Sequence, residues 1–323
     1  MRGTDGNATE GRIWPHAILT ALMVGAVLAR PGVVAAQGVA DSSAAFHASL
    51  VAADQALADL VMKGGFGAAL TTVGSPDLVL LYPGAPVLAG RETASQFLAS
   101  QQYLASQRLR WIPLYAEASS DGTFGVTYGV TGTISTSPAE PSIRFGKYLS
   151  AWIRTPGGWR LVAHAQLHLV APSEVILPPG FVAPKPPPMD PRRPSVAFAV
   201  ADSEFAARAG REGAAAAFAA YAAADAVTFP GNGLLTRGPS DIGRSVADQG
   251  PPSHWAWWPV AVGGSESGDL GFTVGEAEIR SGDAAAGRGV YYGKYLTLWR
   301  RDQSGLIRFL ADGGSSRPAP VTP

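Results

Sequence analysis

The chain contains no cysteine in 323 residues. That excludes disulfides, thiolate catalysis, cysteine-bound metal and a lipid-anchored cysteine behind a leader. Histidine is scarce as well, with His16, His47, His164, His168 and His254 scattered along the sequence. Only His164 and His168 lie close together. On the alternating strand expected over residues 159–169 they share a face but stand about 13 Å apart at ~3.3 Å per residue, too far to share a metal. No metal site and no cofactor is expected. There is no surplus of charge, because 25 basic and 25 acidic residues cancel and no basic stripe appears, which argues against nucleic acid or anionic lipid as the main partner. A long hydrophobic run is also missing: Ala17 to Ala29 falls short of the ~20 residues a membrane helix needs. Arg2, Arg12 and His16 precede it and Val34-Ala35-Ala36 follows, the pattern of an export leader over residues 1–36 cleaved near Ala36. A periplasmic or secreted protein with no membrane span after cleavage is the expectation.

What the chain does contain is one domain written twice. Phe145-Gly146-Lys147-Tyr148-Leu149-Ser150-Ala151-Trp152 returns 147 residues later as Tyr292-Gly293-Lys294-Tyr295-Leu296-Thr297-Leu298-Trp299. Trp111-Ile112-Pro113 answers to Trp257-Trp258-Pro259, Tyr82-Pro83-Gly84 to Phe229-Pro230-Gly231, and Ala53-Asp54 to Ala201-Asp202, in the same order. So long a period excludes a solenoid, and each copy is large enough to bury its own core. The expected division is a first domain over 41–170, a proline-rich linker over 171–194, a second domain over 195–315 and a disordered tail over 316–323. Pro178-Pro179, Pro184, Pro186-Pro187-Pro188 and Pro191 favour an extended spacer, which either holds the domains apart or folds back along one of them.

Within each copy, helices come first and strands follow. Phe46, Leu50, Leu57 and Val61 recur at helical spacing, as do Val196, Phe198, Phe205 and Ala209 behind Ser195 as N-cap. A second helix over Ala214 to Ala223 leads into a short strand, Asp225 to Phe229, and the turn Pro230-Gly231-Asn232-Gly233. Three longer strands rich in β-branched and aromatic residues close each copy, giving an α+β class with helices over one face of an antiparallel sheet.

The order of elements, the tract Gly268-Asp269-Leu270-Gly271-Phe272-Thr273-Val274-Gly275, the tract Tyr292 to Arg301 and the closing Ile307 to Asp312 resemble the nuclear-transport-factor-2-like superfamily, and within it the SnoaL-like branch of exported proteins. The likeness covers nearly all of both copies and is looser in the first, where His164 replaces the acid closing the last strand. It implies a cone formed by a curved sheet wrapped against helices, with a pocket at its wide end. It implies no single activity, because relatives include ketosteroid isomerase, polyketide cyclases, epoxide hydrolases and assembly modules.

If Thr155 to Gly158 closes a hairpin, Leu149 faces His164, and Lys147, Leu149, Ala151, Val162 and His164 share one face. The same construction pairs Leu296 with Asp312 and sets Lys294 diagonally beside it, within reach of an ion pair. The candidate ligand contacts are Tyr128, Lys147, Tyr148, Trp152 and His164 in the first copy, and Trp257, Glu276, Lys294, Tyr295, Trp299 and Asp312 in the second. His164 and Asp312 are the candidate proton carriers. Two readings stay open: a lysine and an acid at the mouth of an apolar cone, or an exposed pair of little consequence. Asp54 and Asp202 are expected at solvent or cap positions, and Trp255, Trp257 and Trp258 in packing. Glu276 and Glu278 correspond to Val130 and Gly132, so any catalysis is expected in one copy only. The function expected is binding of a small, mostly apolar molecule by an internal pseudo-dimer that is free to oligomerise further. The alternatives are an isomerase, cyclase or hydrolase, which an apolar cavity holding a raised-pKa acid favours, and a docking role, which a cavity filled by its own side chains favours.

Overall fold

The computed structural model describes residues 31–101, 104, 107–135, 143–168, 171–230, 235–249, 254–280 and 289–320. Its first half runs α1 (Pro31–Gly64), α2 (Phe66–Val73), β1 (Gly74–Leu81), β2 (Leu88–Ala89), α3 (Arg91–Ser100), β3 (Gln107–Ala118), β4 (Phe124–Ser135), β5 (Ile143–Thr155) and β6 (Gly158–Leu167). The second repeats the order: α4 (Val196–Glu212), α5 (Ala214–Tyr221), β7 (Ala222–Thr228), β8 (Thr236–Arg237), α6 (Pro239–Ala247), β9 (His254–Gly264), β10 (Leu270–Arg280), β11 (Val290–Arg301) and β12 (Ile307–Ser316). Most of the expected leader, and Gly231, Asn232 and Gly233 of the expected turn, lie outside the described residues. No helix among those described is long and apolar enough to cross a membrane.

Both halves have the α+β cone: a six-stranded sheet, in the order β2-β1-β6-β5-β4-β3 and β8-β7-β12-β11-β10-β9, against helices. Four long strands close each half, where three were expected. Of the four, β3 and β9 carry Pro113 and Pro259. Both lie at a sheet edge, and the register slips beside each proline, so a residue lacking an N–H is tolerated there. The helical stripes bury Leu50, Leu57 and Val61 in α1, and Phe198, Phe205 and Ala209 in α4. Ser195 occupies the N-cap position without making a side-chain cap bond. α5 ends at Tyr221 and the strand begins at Ala222, earlier than the expected Asp225.

The proline-rich segment folds back along the first half. Gln101 Nε2 donates to the Ile176 carbonyl at 2.9 Å, the Ile176 N–H returns a bond to Gln101 Oε1 at 3.1 Å, and Phe181 packs 6.2 Å from Phe97 between ring centres. At the other end, β12 continues through Ser316, and Arg317, expected in a free tail, pairs with Glu276 at 3.2 Å.

The two sheets pack face to face within the unit Ala40–Pro323. Leu149, Ala151 and Leu167 of the first join Leu296, Leu298 and Val274 of the second in one buried core. The Phe124 and Phe272 rings stack at 6.2 Å. Gly313 leaves room for Leu149 and Leu167, since a Cβ there would stand 2.5 Å from Leu167 Cδ1. Polar contacts obey the pseudo-twofold: Ser120 N donates to Asp269 Oδ2 at 2.8 Å, and the corresponding Glu266 N donates to Thr123 Oγ1 at 3.3 Å. Because this face is shared, Phe272→Ala is expected to destabilise the protein by about 3 kcal/mol in chemical denaturation; a loss below about 1 kcal/mol contradicts the shared core.

Candidate functional site

Each cone is held by a carboxylate on its first helix. Asp54 lies in register with Leu50, Leu57 and Val61 on the inward stripe of α1 and is fully buried. Its Oδ2 accepts from Tyr148 OH at 2.6 Å and its Oδ1 from Thr127 Oγ1 at 2.9 Å, while Trp152 Nε1 donates to Thr127 Oγ1 at 3.1 Å. The second cone repeats this with Asp202. Tyr295 OH donates to its Oδ2 at 2.8 Å and Trp257 Nε1 to its Oδ1 at 3.0 Å, and Trp299 Nε1 donates to Thr273 Oγ1 at 2.8 Å. The expectation that these acids face solvent or cap a helix is therefore corrected. The overlooked signal was positional: Leu50-Asp54-Leu57 and Phe198-Asp202-Phe205 each set an acid within an apolar stripe.

These bonds identify the inner face of each sheet, and it differs from the one expected. Trp152 pairs with Leu161, but Ala151 pairs with Ala163 and Ser150 with His164, so Val162 is an extra residue in β6. Leu310 is extra in β12, which pairs Thr297 with Asp312. One inserted residue reverses the facing of every side chain beyond it. His164 and Asp312 thus turn inward beside Tyr148 and Tyr295, whereas Lys147 and Lys294 face the sheet-to-sheet interface. The expected pairings of Leu149 with His164 and of Lys294 with Asp312 do not form. Lys147 Nζ donates to the Pro230 carbonyl of the other half, and Lys294 Nζ to the Ser316 carbonyl, each at 2.6 Å. The Ser316 carbonyl also accepts from Gly84 N of the first half at 3.1 Å.

The same strands make two different interiors. In the first cone Phe66 packs edge-on to His164 at 5.0 Å, and Tyr148 stacks on it at 5.8 Å. Gln166 Nε2 donates to Thr131 Oγ1 across the same space at 2.9 Å. In the second cone Ala214 stands where the first has Phe66, Gly314 where it has Gln166, and Ala277 where it has Thr131. The result is a cavity of about 130 Å³ whose walls include Phe205, Phe218, Trp255, Trp257, Ile279 and Tyr291, with Tyr295, Thr297 and Asp312 among the strand residues lining it.

Of the candidates, Trp257, Lys294, Tyr295 and Asp312 line this cavity. Lys294 does so only along its strand, since its ammonium is on the other face. Trp152 and Trp299 are fully buried core residues. Tyr148 and His164 belong to the first cone, where they stack at 5.8 Å. Tyr128 lies at the interface, stacked on Tyr115 at 4.9 Å and edge-on to Phe229 at 5.7 Å. Glu276 is on the outer face with Arg317. Phe205, Phe218, Trp255 and Tyr291 were not proposed as contacts. The alternation of Trp255 and Trp257 along β9 was their one visible signal, since the two point to the same face.

Electrostatically the two interiors diverge at the position shared by His164 and Asp312. Burial pushes His164 down to about 3, so it is neutral, with Nδ1 2.9 Å from Ser150 Oγ and Nε2 unpartnered among the described residues. Burial pushes Asp312 up to about 7 against the lowering bond from Thr297 Oγ1, 2.6 Å away, with Asp202 adding repulsion. Asp54 and Asp202 are raised by burial to about 6, despite the hydrogen bonds that lower them.

A carboxyl whose folded pKa exceeds its unfolded one takes up a proton on folding, so stability falls as pH rises between the two values. For Asp312 that window runs from the ordinary 3.8 to about 7. His164, depressed from 6.5 to about 3, acts oppositely and costs stability as pH falls through that range. Asp312→Asn is therefore expected to remove on the order of 3 kcal/mol from the decline between pH 4 and 7.5, read from denaturation at each pH. An unchanged pH slope contradicts the burial of this acid.

No family model and no curated protein matches the chain. Solved structures similar to it include an NTF2-like protein with a cystatin-like fold from Novosphingobium aromaticivorans, 15% identical over 46% of this chain and 99% of that one, with a TM-score of 0.35. Another is a ketosteroid isomerase-like protein from Erwinia carotovora atroseptica, 14% identical over 37% of this chain and 94% of its own, with a TM-score of 0.32. A third is the CaMKII hub of S. rosetta, 14% identical over 37% and 94%, also with a TM-score of 0.32.

Proposed function

We propose that the second cone binds a small molecule of mostly apolar surface, while the first serves as a filled scaffold against which it packs. The observation that carries this reading is the divergence between copies: the aromatic-walled cavity of about 130 Å³ exists where Phe66 and Gln166 have given way to Ala214 and Gly314. Such a cavity gains affinity by removing apolar ligand surface from water, and Asp312 supplies a directional contact. The leader-like residues 1–36 support export as the setting, which N-terminal sequencing of the mature protein from periplasmic and secreted fractions tests.

A second reading, acid–base catalysis, draws on Asp312 itself. A carboxyl poised near neutrality in an apolar cavity is suited to taking and returning a proton. Asp312 has no matching acid in the first cone, so turnover belongs to one copy.

The test is calorimetry with a panel of small aromatic and alicyclic compounds on the wild type and on Ala214→Phe, which sets a ring where Phe66 lies in the first cone. Binding with Kd values in the micromolar range, lost at least tenfold in the variant at unchanged stability, is expected. Equal binding by both proteins places the site elsewhere. Turnover of a bound compound that disappears in Asp312→Asn selects the catalytic reading.

A further inference from the structure

The second cavity is walled by aromatic rings set at steep angles. Trp255 and Trp257 stand 5.9 Å apart at 65°, and Phe218 and Trp257 6.1 Å apart at 55°. Tyr291 adds a further ring to the lining. Phe218 and Trp255 are 5.7 Å apart as well, so the three rings pack on one another as one continuous wall, and an aromatic wall attracts a positive charge lying against its ring faces. The floor has the complementary sign. Asp312 lines the cavity, and Asp202 on α4 acts on it as a like charge. The uncharged polar neighbours on β11 are Thr297, bonded to Asp312, and Tyr295, whose hydroxyl is committed to Asp202. No basic side chain faces the floor among the described residues: Lys294 sends its ammonium to the Ser316 carbonyl on the interface side, and Arg317 pairs with Glu276 on the outer face. Two carboxyls and several rings without a cation form a field that repels anions, and a neutral occupant leaves it unbalanced.

We propose that the occupant of this cavity is a small organic cation with an apolar skin, such as an alkylammonium or trimethylammonium group, resting against the wall of the Trp255, Trp257 and Phe218 rings and paired with Asp312. This rests on the cavity being a binding site and adds the charge of the ligand. A quaternary ammonium needs no hydrogen-bond donor or acceptor from the walls, in keeping with the aromatic side of the lining. Pairing with the cation favours the ionised form of Asp312, so affinity rises with pH as that group ionises.

The experiment compares choline with its neutral carbon isostere 3,3-dimethyl-1-butanol by calorimetry at pH 8 and pH 5.5, with indole as a neutral aromatic probe of the same cavity. At pH 8 choline is expected to bind at least about tenfold more tightly than the isostere. That preference should fall toward unity at pH 5.5, and in Asp312→Asn at both pH values. A second variant, Trp255→Leu, keeps the carboxyl and removes one ring; it should weaken choline more than indole. If the isostere or indole binds and choline does not surpass the isostere, the cationic ligand is overturned while the binding site stands. If none of the three binds, both readings fall. A choline preference that persists unchanged in Asp312→Asn also overturns the assignment.

Discussion

The architecture depends on a buried carboxylate in each half, Asp54 and Asp202, that joins the first helix to the inner face of the sheet. An acid buried without partners would be prohibitively costly. Here a tyrosine hydroxyl from β5 or β11 and a threonine hydroxyl from β4 or β10 supply the bonds, and a tryptophan from the same strand as the tyrosine holds the threonine. This network fixes which sheet face is interior. Every later feature follows from that choice, including which residues reach the cavity and which meet the other half. It recurs in both copies with the same residue types, so its retention does not depend on there being an open cavity beside it.

On that common frame the two copies differ in their interiors. Phe66 packs on His164 in the first interior, Gln166 bonds Thr131 across it, and burial keeps His164 neutral. Ala214, Gly314 and Asp312 leave the second interior open and place a carboxyl at its base. Small-for-large exchange at one position would ordinarily cost stability through a void. The proposed binding role would offset that cost. Face-to-face packing of the sheets then lets the filled copy stabilise the hollow one through the core that both share.

Much of this was legible in the sequence, and the failures were specific. Duplication could be read from repeated tracts such as Lys147 to Trp152 and Lys294 to Trp299, the α+β class from the order of helices and strands, and the cone from the family resemblance. The facing of His164 and Asp312 could not, because a single extra residue, Val162 or Leu310, reverses an alternation that looks unbroken in the letters. Pro113 and Pro259, unusual inside strands, are accepted in β3 and β9 because both strands sit at sheet edges. Asp54 and Asp202 are acids on an apolar helical stripe, where hydroxyl and indole partners from the sheet override the usual preference of a carboxylate for solvent. The filling of one cone and not the other depends on Phe66 against Ala214, a contrast that gains meaning only once the ring is seen lying against His164.

The bulge in β12 turns Asp312 inward to the base of the second cavity. The most direct measurement is a carbon-13 NMR titration of the aspartate carboxyls, assigned through the Asp312→Asn variant. The account predicts a midpoint for Asp312 near 7. A midpoint near the ordinary carboxyl value of about 4, as for a side chain in open water, would contradict it.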